Sequence, residues 1–366
     1  MKGGAIGYMP CLDGLRFVAI GMVLFEHFGG YPVKYLSTGY YGVDLFLVIS
    51  GFLITTILLK DKQERFWDSY RIFMGRRFLR IFPLYYAVIA FILIVNITGA
   101  RDLSIWLLTY TFNYGAVIYN ETHENNPIFY LWSLSLEEQF YLFWPLIAIC
   151  LKKKPRILFG VTFGIVCIGF LQSTHSIFPG LAKFNYTGLV SRMGSLGLGA
   201  LAATYLRIGT LPTAFFRNRL VELLAFGLLA FSLLASYPYP YRPVFLGLVS
   251  LYLVIKATQF EFRLPGVQRA LTHRAVVYIG SISYGIYLMH MPFGALMTEY
   301  VFDPLWNKIP FASAGPLAVI QYHSWLLKLP LYSGVSILMA ALSFRYFEQP
   351  ILKLKDKWFR YPAKNR

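Results

Sequence analysis

Charge is scarce in this chain. Only 14% of its 366 residues are Asp, Glu, Lys or Arg, against about a quarter in an ordinary soluble domain. With 57% hydrophobic residues and a mean hydropathy of +0.54, that scarcity excludes a soluble globular protein and points to a polytopic membrane protein. Cysteine is scarce too. Cys11, Cys150 and Cys167 sit in mostly apolar surroundings, offer neither a disulfide framework nor metal-ligand spacing, and read as buried structural thiols, so no metal is expected. The first apolar run lacks a small-residue cleavage site and carries ionisable side chains, so it reads as a retained helix and not a cleaved signal. No polar stretch approaches the length of a soluble domain, and residues 1–366 are expected to form a single transmembrane domain.

Apolar runs recur at 12–31, 39–59, 78–98, 130–151, 157–171, 187–206, 220–236, 243–258, 275–298 and 331–347. Most are near the length that crosses a hydrocarbon core, so the expected fold is an all-α polytopic bundle of about ten transmembrane helices. The apolar stretch 103–118 is interrupted by Asn113 and Gly115 and reads as interfacial or re-entrant. The net charge of +17 would suggest nucleic acid in a soluble protein, but its distribution explains it otherwise. With a cytoplasmic N-terminus, 26 of the 34 basic residues fall in inner segments, among them Lys60 to Arg80, Lys256 to Arg274 and Arg345 to Arg366. This fits the positive-inside rule with both termini cytoplasmic and requires no nucleic-acid partner.

The run from Leu12 to Gly30, LDGLRFVAIGMVLFEHFGG, is apolar enough to span a bilayer yet holds Arg16, Glu26 and His27. A charge at the centre of a spanning helix costs roughly 2.5–3.5 kcal/mol, so such residues usually face a protein interior or a water-filled cavity. Arg16 and His27 are eleven positions apart, which places both on one helix face about 16 Å apart along the axis. Asp44 enters the second span from the outer side, and a short connection makes it a candidate to orient the His27 imidazole; capping the second helix is the alternative.

Arg76, Arg77 and Arg80 stand at i, i+3 and i+4 spacings where the third span begins, a fork suited to phosphate oxygens or to an anchor at lipid headgroups. In the fourth span the adjacent Glu137 and Glu138, with Ser133 and Tyr141 in register, cannot both face lipid; one can partner a buried arginine such as Arg16 or Arg192. Gly194, Gly197 and Gly199 in MGSLGLGALAA mark a small-residue packing face, since no strand precedes them as a dinucleotide loop would require. Ser283, Tyr287 and His290 form one polar stripe on the ninth span that either lines the cavity or bonds neighbouring helices. Glu348 before Pro350 reads as a helix end whose carboxylate pairs with an arginine. His123, His175 and His323 fall in predicted outer loops and read as solvated.

A basic mouth leading to an acid/base site fits a donor with phosphates at one end and a reactive group on a long arm, for which acyl-coenzyme A is the cytosolic candidate. His27 would act as general base on an acceptor hydroxyl or as the nucleophile that takes the acyl group. Arg16 would bind phosphate or stabilise developing negative charge.

The sequence resembles the acyltransferase 3 family of integral-membrane acyltransferases. The likeness lies in LDGLRFVAIGMVLFEH, YYGVDLFLVISGFLI, RRFLRIFPLYY, LWSLSLEEQFYLFWP, SYGIYLMH and FEQP, which run in order from Leu12 to Pro350. It implies transfer of an acyl group, most often acetyl, from cytosolic acyl-coenzyme A to a hydroxyl of a sugar, envelope polysaccharide or related acceptor, in a bacterial plasma (inner) membrane. It implies essential roles for Arg16 and His27, with Asp44, Arg77, Arg80 and Glu138 contributing. Glu26 departs from the aromatic or apolar residue usual before the histidine. Many relatives carry an added esterase-like domain; this chain is expected to act without one. The rival expectation is a secondary transporter or flippase for a glycan or lipid-linked intermediate, but the paired interrupted helices typical of transporter repeats are not found.

Overall fold

A computed structural model of the chain describes residues 8–30, 36, 38–121, 126–209, 213–234, 241–260, 262–309 and 322–360. His123 and most of the two outer turns, at 31–37 and 237–243, lie outside the described residues. Every regular element among those described is helical. The principal helices are α1 (Pro10–Phe28), α2 (Thr38–Lys60), α3 (Phe66–Val95), α4 (Ser104–Leu108), α5 (Phe112–Ile118), α6 (Trp132–Leu151), α7 (Pro155–His175), α8 (Leu189–Ile208), α9 (Arg219–Leu234), α10 (Arg242–Gln259), α11 (Arg274–Ser281), α12 (Ser283–Met297), α13 (Trp325–Ser343) and α14 (Gln349–Trp358).

Each of the ten apolar runs carries helix, and the helix boundaries follow local chemistry. Proline opens α1 and α7 at the first helical position, where its missing N–H breaks no bond. Asn96, left-handed at φ 57°, closes α3. Five helical stretches are long and apolar enough to cross a membrane by length and composition: Thr38–Lys60, Phe66–Val95, Phe129–Leu151, Pro155–His175 and Trp325–Lys355. Large apolar side chains such as Ile94, Phe163, Phe231 and Leu338 are exposed on the outside of the bundle, as a protein surrounded by lipid requires.

The most buried of these five is α2, which packs against α1, α8 and α10. Its close approach to α8 depends on glycine. A Cβ on Gly51 would run into the carbonyl oxygen of Leu196, and one on Gly199 into that of Val48, so the two backbones touch where side chains would hold them apart. Gly194 similarly meets α7. The glycines of MGSLGLGALAA are therefore a packing face. Gly199→Val is expected to cost about 1–3 kcal/mol by overpacking, read as a lower melting temperature in detergent.

Three local expectations are corrected. The ninth apolar run is broken at Ile282 into α11 and α12, so its polar stripe lies on α12 alone. The stretch 103–118 does not cross as one helix, but its break falls at Tyr110 (φ 54°), not at Asn113 or Gly115. Asn113 is buried and bonded to Gln139 and the Thr187 carbonyl, while Gly115 leaves room for the Trp106 ring. Pro350 does not end the last helix: a π-turn over Phe344–Glu348 absorbs the missing N–H, and helix continues to Trp358. Lys256, counted in the sequence among the inner basic residues, lies inside the protein. Fully buried, it meets Glu222 at 2.8 Å, whose carboxylate also receives the N–H groups of Arg263 and Leu264.

Candidate active site

His27 stands in the last turn of α1, and its Nδ1 lies 2.9 Å from Nε2 of His290 on α12. The Nδ1 of His290 lies 2.6 Å from the carbonyl oxygen of Tyr287, one turn back on the same helix. A carbonyl only accepts, so Nδ1 of His290 carries its proton, and in the neutral ring Nε2 must accept. The donor to it is therefore Nδ1–H of His27. The lone pair of His27 is left on Nε2, oriented by a chain of hydrogen bonds that begins at the main chain. His290 is fully buried, and the rings of Phe28, Tyr130 and Tyr287 surround it with centroids 4.9–6.0 Å away.

A cavity of about 100 Å³ runs between α1, α2, α3, α6 and α12. Arg16, Arg77 and Arg80 line it together with Glu137, Glu138 and Tyr141; Ser133, Ser283 and Tyr287 line it as well. Arg16 donates to Asp13 at 2.9 Å, one turn earlier on α1. The Arg77 guanidinium lies over the Tyr141 ring, 3.7 Å from its centroid, and its Nε is buried without a hydrogen-bond partner. The Tyr141 hydroxyl donates to Glu137 at 2.6 Å and lies 3.0 Å from Ser50. Cation, aromatic ring and carboxylate thus form one connected wall. The Tyr287 hydroxyl, 2.6 Å from Ser133, belongs to that cavity, while its carbonyl holds His290. Tyr287 is the partition between the two regions.

The residues singled out in the sequence are therefore divided between the two places. Glu137 and Glu138 belong with the arginines and not at the level of His27. Of the α12 stripe, Ser283 and Tyr287 line the cavity, whereas His290 turns to His27, and neither histidine lines the cavity. Asp44 is not the carboxylate that orients His27. It accepts from Ser195 at 2.6 Å and pairs with Arg192 at 3.4 Å, both on α8, because α2 rests its opposite face on that helix. Arg192 is thus satisfied by Asp44 and not by a glutamate. Arg76 leaves the fork: it points off the cavity and donates to the carbonyl of Phe359 at 2.8 Å. Glu26 turns from the site to the start of α2, where its carboxylate takes the N–H of Gly39 at 2.5 Å, a negative charge at a helix N-terminus. Glu348 accepts from Ser343 at 3.3 Å and has Arg80 as an electrostatic neighbour, with no direct ion pair among the described residues.

The sequence model for an acyltransferase domain matches residues 9–346, nearly the whole chain and every element of this site. The chain belongs to the acyltransferase 3 family. Five of its helical stretches are long and apolar enough to cross a membrane, and it is similar to O-acetyltransferases. It is 28% identical to a peptidoglycan O-acetyltransferase, OatA, of Listeria monocytogenes, over 94% of this chain and 56% of that protein. It is 27% identical to the O-acetyltransferase OatA of Staphylococcus aureus strain NCTC 8325, over 98% of this chain and 60% of that protein. The chain thus spans somewhat over half the length of these acyltransferases. No solved structure matches it.

Ser50, Tyr110 and Tyr284 also line the cavity and were not singled out from the sequence. Tyr284 follows Ser283 directly, and Ser50 lies on the same motif as Asp44, but neither carries a charge that marks it against an apolar background. Asp13, partner of Arg16, was not singled out either; the signal that could have found it is an acid three residues before an arginine in an apolar run.

Proposed function

We propose that this acyltransferase moves an acyl group, in the simplest case acetyl, from acyl-coenzyme A to a hydroxyl of a sugar or envelope polysaccharide. The observation that carries the reading is the fixed hydrogen-bond chain from the Tyr287 carbonyl through His290 to His27, which leaves a basic nitrogen at His27 Nε2 beside a basic cavity. The acceptor hydroxyl gives its proton to Nε2 as its oxygen attacks the thioester carbonyl. The tetrahedral intermediate collapses with cleavage of the carbon–sulfur bond, and the proton on His27 passes to the departing thiolate. Atoms and charge balance without a metal or redox partner.

Arg77 and Arg80 are the proposed phosphate ligands of the donor, with Arg16 deeper on the same wall. Arg77 lines this cavity, its buried Nε is an unused donor, and the guanidinium fork suits phosphate. Arg76 has no part in this. Glu138 serves as a cavity group beside the arginines, not as partner of His27. About ten spans with both termini cytoplasmic, in a bacterial plasma membrane, would present the arginine mouth to cytosolic donor. The length and charge pattern of the apolar runs support that arrangement.

The test is release of coenzyme A from acetyl-coenzyme A by the purified protein with a hydroxyl acceptor, compared between wild type and variants. Arg77→Ala is expected to raise KM for the donor about tenfold to a hundredfold, the loss of one or more charge-assisted hydrogen bonds, with a smaller change in kcat. An unchanged donor KM would remove Arg77 from the donor site. Substrate uptake coupled to a gradient, with no acyl turnover, would favour the transporter reading.

A further inference from the structure

On another face of α1, away from the arginine-lined cavity, lies a second cavity of about 160 Å³. Leu15 and Val18 of α1, Leu45 of α2, Phe226 of α9 and Leu253 of α10 wall it, and its surface is almost wholly apolar. Voids of this size are few in a close-packed interior, and an apolar one does not hold water. In a protein surrounded by hydrocarbon, its natural filling is hydrocarbon.

Tyr41 lines the cavity, and against Tyr41 lies Arg242, the first residue of α10. Arg242 is 5% exposed, with its guanidinium carbon 5.1 Å from the centre of the Tyr41 ring. Among the described residues its Nη2 reaches only the Leu36 carbonyl and the Tyr41 hydroxyl, each at 3.5 Å, while Nε and Nη1 have no partner. Asp44, whose carboxylate Arg242 faces at longer range, takes its hydrogen bonds from Ser195 and Arg192 and none from Arg242. A buried guanidinium with two idle donors is costly unless an anion arrives, and its planar fork fits a phosphate. The start of α10 adds its positive dipole end at the same point, although Pro243 carries no N–H and those of Val244 and Phe245 are taken by the Tyr241 carbonyl.

We propose that this cavity and Arg242 form a binding site for a membrane phospholipid, one chain in the cavity and the headgroup phosphate on Arg242. The site is separate from acyl transfer, and its test reads binding and not turnover. The full chain, purified and delipidated in detergent, is titrated with phosphatidylglycerol, dioleoylglycerol or inorganic phosphate, and the bound adduct is followed by native mass spectrometry with thermal unfolding alongside. Phosphatidylglycerol is expected to bind at least tenfold more tightly than dioleoylglycerol, and Arg242→Gln to erase that preference. Val249→Trp, which fills the cavity, is expected to remove the phosphatidylglycerol adduct while the protein still unfolds cooperatively. Equal binding of the two lipids by wild type, or a phosphatidylglycerol adduct that persists in Val249→Trp, would overturn the proposal. So would a full thermal shift from inorganic phosphate alone. Should Arg242→Gln fail to fold, the wild-type comparison and Val249→Trp decide the matter.

Discussion

His27→Ala is expected to lower kcat for acyl transfer by about 10²–10⁴-fold, the range over which a positioned general base contributes. The folded state should be little affected. His27 is only partly buried, and its removal frees His290 Nε2 of one partner without leaving a buried charge. Donor binding should also survive, because the arginines lie in a cavity that His27 does not line. The signature is therefore a fall in kcat with donor KM and melting temperature close to wild type. A variant that kept activity would remove His27 from the chemistry, and one that lost its melting transition would make it a structural residue.

Asp44 is expected to behave in the opposite way. It is 1% exposed and faces Arg192, itself 4% exposed, at 3.4 Å. Deleting one partner of a buried pair strands the other charge, at a cost of about 3–5 kcal/mol, whereas replacing both with apolar residues of similar volume is often neutral. Asp44→Ala should accordingly lose much of the folded protein. Asp44→Leu combined with Arg192→Met should recover the melting temperature and, with it, a large part of the activity. Recovery of stability without activity would return Asp44 to a direct role in catalysis.

The contrast between Asp44 and His290 shows what could be read from sequence. Each ionisable residue in an apolar run announced that it needs a partner, and helix periodicity placed Arg16, Glu137 and Tyr141 on faces that do meet. Which partner each takes is a question of helix crossing. The short turn between α1 and α2 makes Asp44 a candidate to orient His27, with helix capping as the alternative, yet α2 is buried on several sides and the acid lies on the side facing α8. The glycines that let α2 and α8 touch were visible, but their consequence for Asp44 was not. His290 lies 263 positions from His27, and nothing local joins them. The fork at Arg76, Arg77 and Arg80 shows the same limit at closer range, because the residues one position apart diverge by about 100°. Arg76 goes to the C-terminal segment while Arg77 enters the cavity.

The most direct measurement is a double-mutant cycle on kcat with His27→Ala, His290→Ala and the pair. If His290 acts by fixing the proton on Nδ1 of His27, its removal slows wild type and has no further effect once His27 is gone, because residues that act as a unit are not additive. Losses that multiply, with the pair slower than His27→Ala by the full factor of His290→Ala, would mean that the two rings act independently and would contradict the hydrogen-bond chain.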